Sequence, residues 1–109
     1  MEDCMYTKKG IEKAANMFAL NPDLMKAFLD FDGKVFAEGK LNVRTKELIA
    51  VACAHVTQCP YCIDGHTKRA RKAGATDAEI SEAIFVAAAM RAGAAVAHSC
   101  IAMAALEEK

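Results

Sequence analysis

The sequence predicts an all-α fold, and three observations support this prediction. Alanine, the strongest helix former, is frequent along the chain, only two prolines interrupt it, and no segment alternates between polar and apolar residues as a β-strand does. The length of 109 residues corresponds to a single domain, residues 1–109, and neither an internal repeat nor a low-complexity linker divides it. We therefore expect a compact single-domain bundle of about six helices.

The first three predicted helices are recognised by their ends. The first covers about residues 8–20. The second begins with Asn21 as its N-cap and Pro22 at its first position, and it ends near Gly39. Its apolar side chains recur every three or four residues and form one stripe, which consists of Leu24, Phe28, Phe31 and Val35. Asn42 is expected to cap the third helix, VRTKELIAVACAHV.

The second half of the chain contains the remaining helices. Pro60 is expected to open the fourth helix, and Gly74 to close it after a basic last turn. The sequence TDAE that follows is a capping box for a fifth helix. Gly93 is expected to interrupt the long apolar region beyond it, which would form two helices at about residues 77–92 and 94–107.

The overall composition argues against nucleic-acid binding and suggests a buried interface. The chain has 14 basic and 14 acidic residues, so its formal net charge is zero, whereas a nucleic-acid binder usually has a basic excess. Hydrophobic residues make up 54% of the chain, a high share for a domain that buries only about two-thirds of its unfolded surface. The surplus suggests either a membrane or an oligomer interface.

The most apolar region, residues 83–106, favours the oligomer. It contains Arg91, His98 and Ser99 together with many alanines, whereas a membrane-spanning helix needs about 20 residues with almost no charge. We therefore predict a homo-oligomer with this region at or beside its interface, and no membrane partner. The opening sequence MEDCMYTKKG lacks the apolar core of a signal peptide, which indicates a cytoplasmic protein.

The sequence CPYCIDGH, at residues 59–66, carries the strongest functional signal. In the cytosol, five cysteines favour redox, metal-binding or buried thiols over a disulfide framework. If Cys59 is the N-cap of the fourth helix, Cys62 lies in its first turn and His66 one turn later, so that the three side chains share one face. The helix N-terminus stabilises thiolates. We interpret the motif as a two-thiol redox centre with a histidine partner.

A zinc site and a purely structural role are the alternatives for this motif. A structural zinc site needs four ligands, usually from two such cysteine pairs, and Cys4, Cys53 and Cys100 form no second pair. These three cysteines are interpreted as buried small side chains. We expect neither a metal ion nor a cofactor.

Several other residues have a simple structural interpretation. By itself, Glu47 is a helix-dipole partner on a solvated face, and His55 and His98 are histidines packed in the core or at an interface. Tyr61 is expected to pack rather than to take part in catalysis. The basic sequence KRARK, at residues 68–72, is expected to be a solvated face, with docking of an acidic partner as the alternative.

The segment KELIAVACAHVTQCPYCIDGH resembles the signature of the carboxymuconolactone decarboxylase family, in its alkylhydroperoxidase AhpD-like branch. That signature is a glutamate, eleven residues, C-x-x-C, three residues and a histidine, and Glu47, Cys59, Cys62 and His66 each match it. The resemblance extends over about residues 41–106. It implies an all-helical fold, a small single-unit member of the family, and assembly into trimers or hexamers.

The resemblance also implies an activity, that of a thiol peroxidase or disulfide reductase that acts on a hydroperoxide or disulfide and is recycled by a thiol reductant. In AhpD-like proteins the second cysteine attacks the peroxide and the first resolves it, which assigns these steps to Cys62 and Cys59. Glu47 and His66 would relay protons. Decarboxylases of the family generally lack the cysteine pair. Tyr61 stands where AhpD has a histidine, and tyrosine cannot act as a base near neutral pH.

Helix geometry and the resemblance differ on the two cysteines. Cys59 is closer to the helix end, so geometry alone makes it the more activated thiol. The resemblance assigns the attack to Cys62, which a relay through Glu47 and His66 would activate, and this is the assignment we adopt. The alternative functions are a non-enzymatic helical oligomer that senses redox state or binds a partner through the same pair, and a decarboxylase-type lyase.

Overall fold

The computed structural model describes residues 6–109, and every regular element in this range is helical. The all-α prediction is therefore confirmed. A short 3-10 helix, Gly10–Lys13, precedes five α-helices, namely α1 (Ala14–Leu20), α2 (Pro22–Phe36), α3 (Val43–Thr57), α4 (Pro60–Lys72) and α5 (Asp77–Glu107).

The caps predicted for α3 and α5 are confirmed by their hydrogen bonds. The side chain of Asn42 accepts a hydrogen bond from the backbone N–H of Thr45 at 2.8 Å. At the start of α5, Thr76 and Glu79 form the reciprocal bonds of a capping box. Asn21 occupies the N-cap position of α2, but its side chain makes no capping bond. There the fixed backbone of Pro22 at the first helical position favours the helix start.

The predicted break at Gly93 is wrong, because α5 continues through this residue to Glu107. A glycine in a helix interior costs only about 1 kcal/mol relative to alanine, and the flanking alanines offset this cost. Outside its own helix backbone, no heavy atom lies within 4 Å of the place where a Cβ of Gly93 would be, so no neighbouring element contacts the helix at that position.

The N-terminal helices also differ from their predicted limits. The helix expected over residues 8–20 is divided into the 3-10 helix and α1. Helix α2 ends at Phe36 rather than near Gly39, because Ala37 adopts an extended backbone. At this end the Nζ of Lys46 donates hydrogen bonds to the carbonyls of Val35 and Ala37, at 2.7 and 2.5 Å. A cation from α3 thus satisfies the carbonyl groups that the end of α2 leaves free.

The core lies where α3 packs against both α4 and α5. Its buried residues are Val51 of α3, Ala70 of α4, Ala75 between α4 and α5, and Ile80 of α5. Val51 is the largest fully buried side chain in the described part of the chain. The hairpin of α1 and α2 contacts this core mainly through the pairing of α2 with α3.

The single chain is more extended than a compact domain of its length. Its radius of gyration is 18.3 Å, against about 13 Å for a compact domain of this size. Its accessible surface is 8796 Å², roughly half as much again as the ~5,900 Å² of a typical 11.7 kDa monomer. Much of this excess surface belongs to apolar side chains. The second half of α5 contains no buried residue, and its outward side chains include Val96, Ile101, Met103 and Leu106.

Among the described helices, α5 is long and apolar enough to cross a membrane, as judged by length and composition only. Length and composition do not separate such a helix from one that packs against another protein chain. In its first half, Ile80 and Ala87 are buried.

Candidate active site

The antiparallel packing of α3 and α4 brings Glu47 and His66 together. Oε2 of Glu47 lies 2.6 Å from Nδ1 of His66, and the two side chains are 6% and 18% exposed. An ionised carboxylate can only accept hydrogen bonds, so Nδ1 carries the proton and donates it. This fixes the orientation of the ring and leaves Nε2 as the nitrogen that can exchange a proton with another group. The expectation that Glu47 by itself faces solvent is wrong, because this carboxylate is buried and paired.

Phe36 was not expected at the site from the sequence, and its ring stacks on the imidazole of His66. The ring centroids are 5.1 Å apart and the planes differ by 23°. The carbonyls of Val35 and Ala37, on either side of Phe36, are the ones that Lys46 binds. The end of α2 is thus fixed beside the imidazole by the residue that precedes Glu47. No spacing rule connects an aromatic residue to a histidine 30 positions later, so the sequence contains no signal for this contact.

The cysteine pair adopts the arrangement predicted from the sequence, with Cys59 as the N-cap of α4 and Pro60 at its first position. Sγ of Cys59 accepts a hydrogen bond from the backbone N–H of Cys62 at 3.4 Å. The hydrogen bond from the Cys62 thiol, and after it this backbone bond, lowers the pKa of Cys59. The same interaction between the thiols, and after it burial, raises the pKa of Cys62. In the reduced pair, Cys59 is therefore the thiol that ionises first.

One of the two thiols, that of Cys62, faces a cavity of about 440 Å³ together with the histidine. Cys62 and His66 both line it, and most of its wall is apolar, with contributions from Val35, Leu41 and Ile49. Cys59 is not part of the lining. A small molecule in this cavity would therefore meet Cys62 and the imidazole of His66 together.

The remaining cysteines are not buried as expected. Cys53 is exposed and lines the same cavity, and Cys100 is exposed on α5. Cys53 shares that cavity with residues of α2, and Cys100 lies in the part of α5 that contains no buried residue. Cys4 lies outside the described residues. Within residues 6–109, no group of three or more cysteine, histidine or acidic side chains has an arrangement that could hold a metal ion.

The structural interpretations of Tyr61, His55 and the basic end of α4 agree with the fold, whereas His98 is exposed on α5 and is not packed in the core of this chain. Tyr61 is half-buried and packs against Tyr6, with 5.9 Å between the ring centroids. His55 is half-buried, and its Nδ1 lies 2.7 Å from the carbonyl oxygen of Val51. The basic end of α4 is exposed, with Lys68 paired to Asp64 on the solvent side.

The chain is similar in sequence to one protein family and to individual bacterial proteins. The sequence model of the carboxymuconolactone decarboxylase family matches residues 22–105. An uncharacterised protein of the cox locus in Paracoccus denitrificans is 63% identical over 82 residues, which are 75% of this chain and 74% of that protein. A Bacillus subtilis protein is 31% identical over 70 residues, and the match spans only 47% of its length.

Solved structures show the same fold. A protein from Methanobacterium thermoautotrophicum superposes with a TM-score of 0.74 and 38% identity, covering 78% of this chain and 96% of that one. A protein from Thermotoga maritima superposes with a TM-score of 0.56 and 41% identity, covering 58% of this chain and 65% of the other. The latter is a carboxymuconolactone decarboxylase family protein suggested to take part in an antioxidative response.

Proposed function

Because the chain belongs to the carboxymuconolactone decarboxylase family and has its AhpD-like fold, we propose that it is a thiol-dependent peroxidase or disulfide oxidoreductase with an antioxidant role. The observation that carries this proposal is the contact of 2.6 Å between Glu47 and His66, on an imidazole that lines the same cavity as Cys62. A redox pair alone would need no such base. The relation of a Thermotoga maritima family member to an antioxidative response supports the same conclusion.

The first step of the proposed cycle takes place at Cys62. Its thiol gives a proton to Nε2 of His66, and the thiolate attacks the terminal oxygen of a hydroperoxide. The O–O bond breaks, Cys62 becomes a sulfenic acid, and the alkoxide leaves with the proton from His66 as an alcohol. While His66 holds the proton it is a cation, and the buried carboxylate of Glu47 stabilises that cation.

The second step takes place at Cys59, whose thiolate is stabilised at the N-terminus of α4 by the backbone N–H of Cys62. As a thiolate, Cys59 attacks Sγ of the Cys62 sulfenic acid, an S–S bond forms, and hydroxide leaves and is protonated to water. An external dithiol then reduces the disulfide and is itself oxidised. Cys59, with the lower pKa, is the better leaving group in that exchange. In this cycle the attacking thiol, Cys62, has the raised pKa and shares the cavity with its base, His66. The resolving thiol, Cys59, has the lowered pKa. This cycle needs a thiol reductant. Because the cytosol keeps thiols reduced, this need agrees with the proposed cytoplasmic location.

The test of this function is repeated turnover together with mapping of the thiols. Supplied with a dithiol, the protein should consume many equivalents of an organic hydroperoxide, and one equivalent should convert Cys59 and Cys62 into a disulfide. Peptide mass mapping should find Cys4, Cys53 and Cys100 still reduced. Consumption of one equivalent without recycling would indicate a redox sensor instead, and a main disulfide at Cys53 or Cys100 would contradict the proposal.

We also propose that the chain assembles as a homo-oligomer, a trimer or a hexamer. The excess of about 2,900 Å² of surface per chain is far larger than the roughly 800 Å² that each partner buries in a standard interface. Multi-angle light scattering at micromolar concentration should give a mass of three or six times 11.7 kDa. A mass near that of one chain would contradict the assembly, and it would leave the exposed side chains of α5 without an explanation.

A further inference from the structure

The turn that presents Cys59 has an unfavourable backbone conformation. Gln58 ends α3 with φ 59° and ψ 44°, in the left-handed region, and it directly precedes Cys59. In the described part of the chain it is the only residue other than glycine with positive φ. A side chain with a Cβ adopts this conformation only where surrounding contacts favour it. The backbone N–H of Cys59 donates to the carbonyl oxygen of Ala54 at 3.2 Å, and side-chain contacts at Gln58 add to this bond in placing the cysteine.

Those contacts come from a helix that is remote in sequence. Nη1 of Arg91, on α5, donates a hydrogen bond to the carbonyl oxygen of Val56 at 2.9 Å. With the Gln58 amide oriented so that its oxygen faces the guanidinium, Oε1 accepts from Nη1 at 3.2 Å and from Nη2 at 3.3 Å. One guanidinium thus binds the last turn of α3 and the residue that caps it. A cation is favourable at this helix end.

From this geometry we propose that Arg91 and Gln58 are positioning residues for the cysteine pair, because they hold the turn between α3 and α4 in the shape that places Cys59 at the N-cap of α4. The next link is the bond from the Cys62 N–H to Sγ of Cys59 at 3.4 Å, which lies directly after this turn. The proposal deepens the proposed function, since it assigns to α5 a role in the redox step that is separate from assembly.

The test measures how fast the disulfide closes. Reduced protein is treated with stoichiometric 5,5′-dithiobis(2-nitrobenzoate), and the first-order formation of the Cys59–Cys62 disulfide is followed by peptide mass mapping. Arg91→Met should slow closure about tenfold, because bonds to a charged donor are lost and Cys59 becomes free to move. Arg91→Lys should restore part of the rate, since an ammonium can still bind the carbonyl of Val56.

A second readout separates positioning from general stability. Alkylation of Cys59 by iodoacetamide, measured against pH, should show its midpoint moved to higher pH in Arg91→Met, because the N-cap bond that stabilises the thiolate is weakened. The matched control is Arg44→Met. Arg44 also connects α3 to α5, at the opposite end of α3, through Glu79 at 3.7 Å, and its loss should change neither readout.

Two outcomes would overturn the proposal: unchanged closure and alkylation in Arg91→Met, or equal changes in Arg91→Met and Arg44→Met. If Arg91→Met does not fold, Gln58→Met provides the answer, because methionine keeps the Cβ and the length of the side chain and removes only the amide. That variant should also slow closure. Neither readout uses a peroxide, so an absence of peroxidase turnover in the unsubstituted protein would count against the proposed function and not against this inference.

Discussion

Replacement of Cys62 with serine is expected to abolish sulfenic acid formation and, with it, turnover of hydroperoxide. Cys62 is the thiol of the pair that lines the cavity with His66, so it is the thiol that a substrate meets. Serine keeps the size of the side chain, but its hydroxyl does not form a sulfenic acid. Trapping with dimedone after one equivalent of peroxide, followed by mass spectrometry, measures the effect directly.

Cys59→Ser should give the complementary result. The sulfenic acid at Cys62 should form and persist, because the thiolate that condenses with it is absent. Cys100→Ser is the matched control, since Cys100 is an exposed cysteine on α5 outside the motif, and its replacement should leave turnover unchanged. The reverse pattern, with a trapped sulfenic acid on Cys59 in Cys62→Ser, would mean that the lowered pKa of Cys59 at the helix end, and not the relay, selects the attacking thiol.

The parts of the fold that depend on local interactions could be predicted from the sequence. The caps at Asn42 and Thr76 and the N-cap position of Cys59 each involve a hydrogen bond over three residues, so the sequence pattern contains the whole interaction. The continuation of α5 through Gly93 could not be predicted in the same way. The cost of one glycine is small, and whether a helix ends there depends on packing around it.

The residues of the candidate site that lie within one helix could be predicted from the sequence. The spacing of Cys59, Cys62 and His66 along one helix placed them on one face. Glu47 lies on another helix, 19 residues before His66, and only the resemblance associated it with the pair. The roles of Phe36 and Arg91 had no sequence signal, since each reaches the site from an element whose position is set by tertiary packing.

Glu47→Gln should lower the rate of peroxide reduction by about 10²–10⁴-fold, the usual contribution of general-base catalysis, because His66 acts as an effective base only when Glu47 stabilises its charged form. The amide oxygen of glutamine can still accept the hydrogen bond from Nδ1 of His66, so the imidazole keeps its orientation. What disappears is the negative charge that stabilises the imidazolium formed when Cys62 loses its proton. Steady-state turnover with an organic hydroperoxide and excess dithiol measures this loss.

The control for this variant is Glu38→Gln, which removes a carboxylate that is exposed after α2 and should leave the rate unchanged. Light scattering should show that Glu47→Gln keeps the assembly of the unsubstituted protein. Because Cys59 is stabilised at the helix end and not by Glu47, the closure of the Cys59–Cys62 disulfide by 5,5′-dithiobis(2-nitrobenzoate) should also be preserved. The charge of Glu47 would thus act on the attack by Cys62 and not on the resolving step. An unchanged turnover rate would reduce Glu47 to a structural partner of His66, and a loss of both turnover and disulfide closure would indicate damage to the whole site.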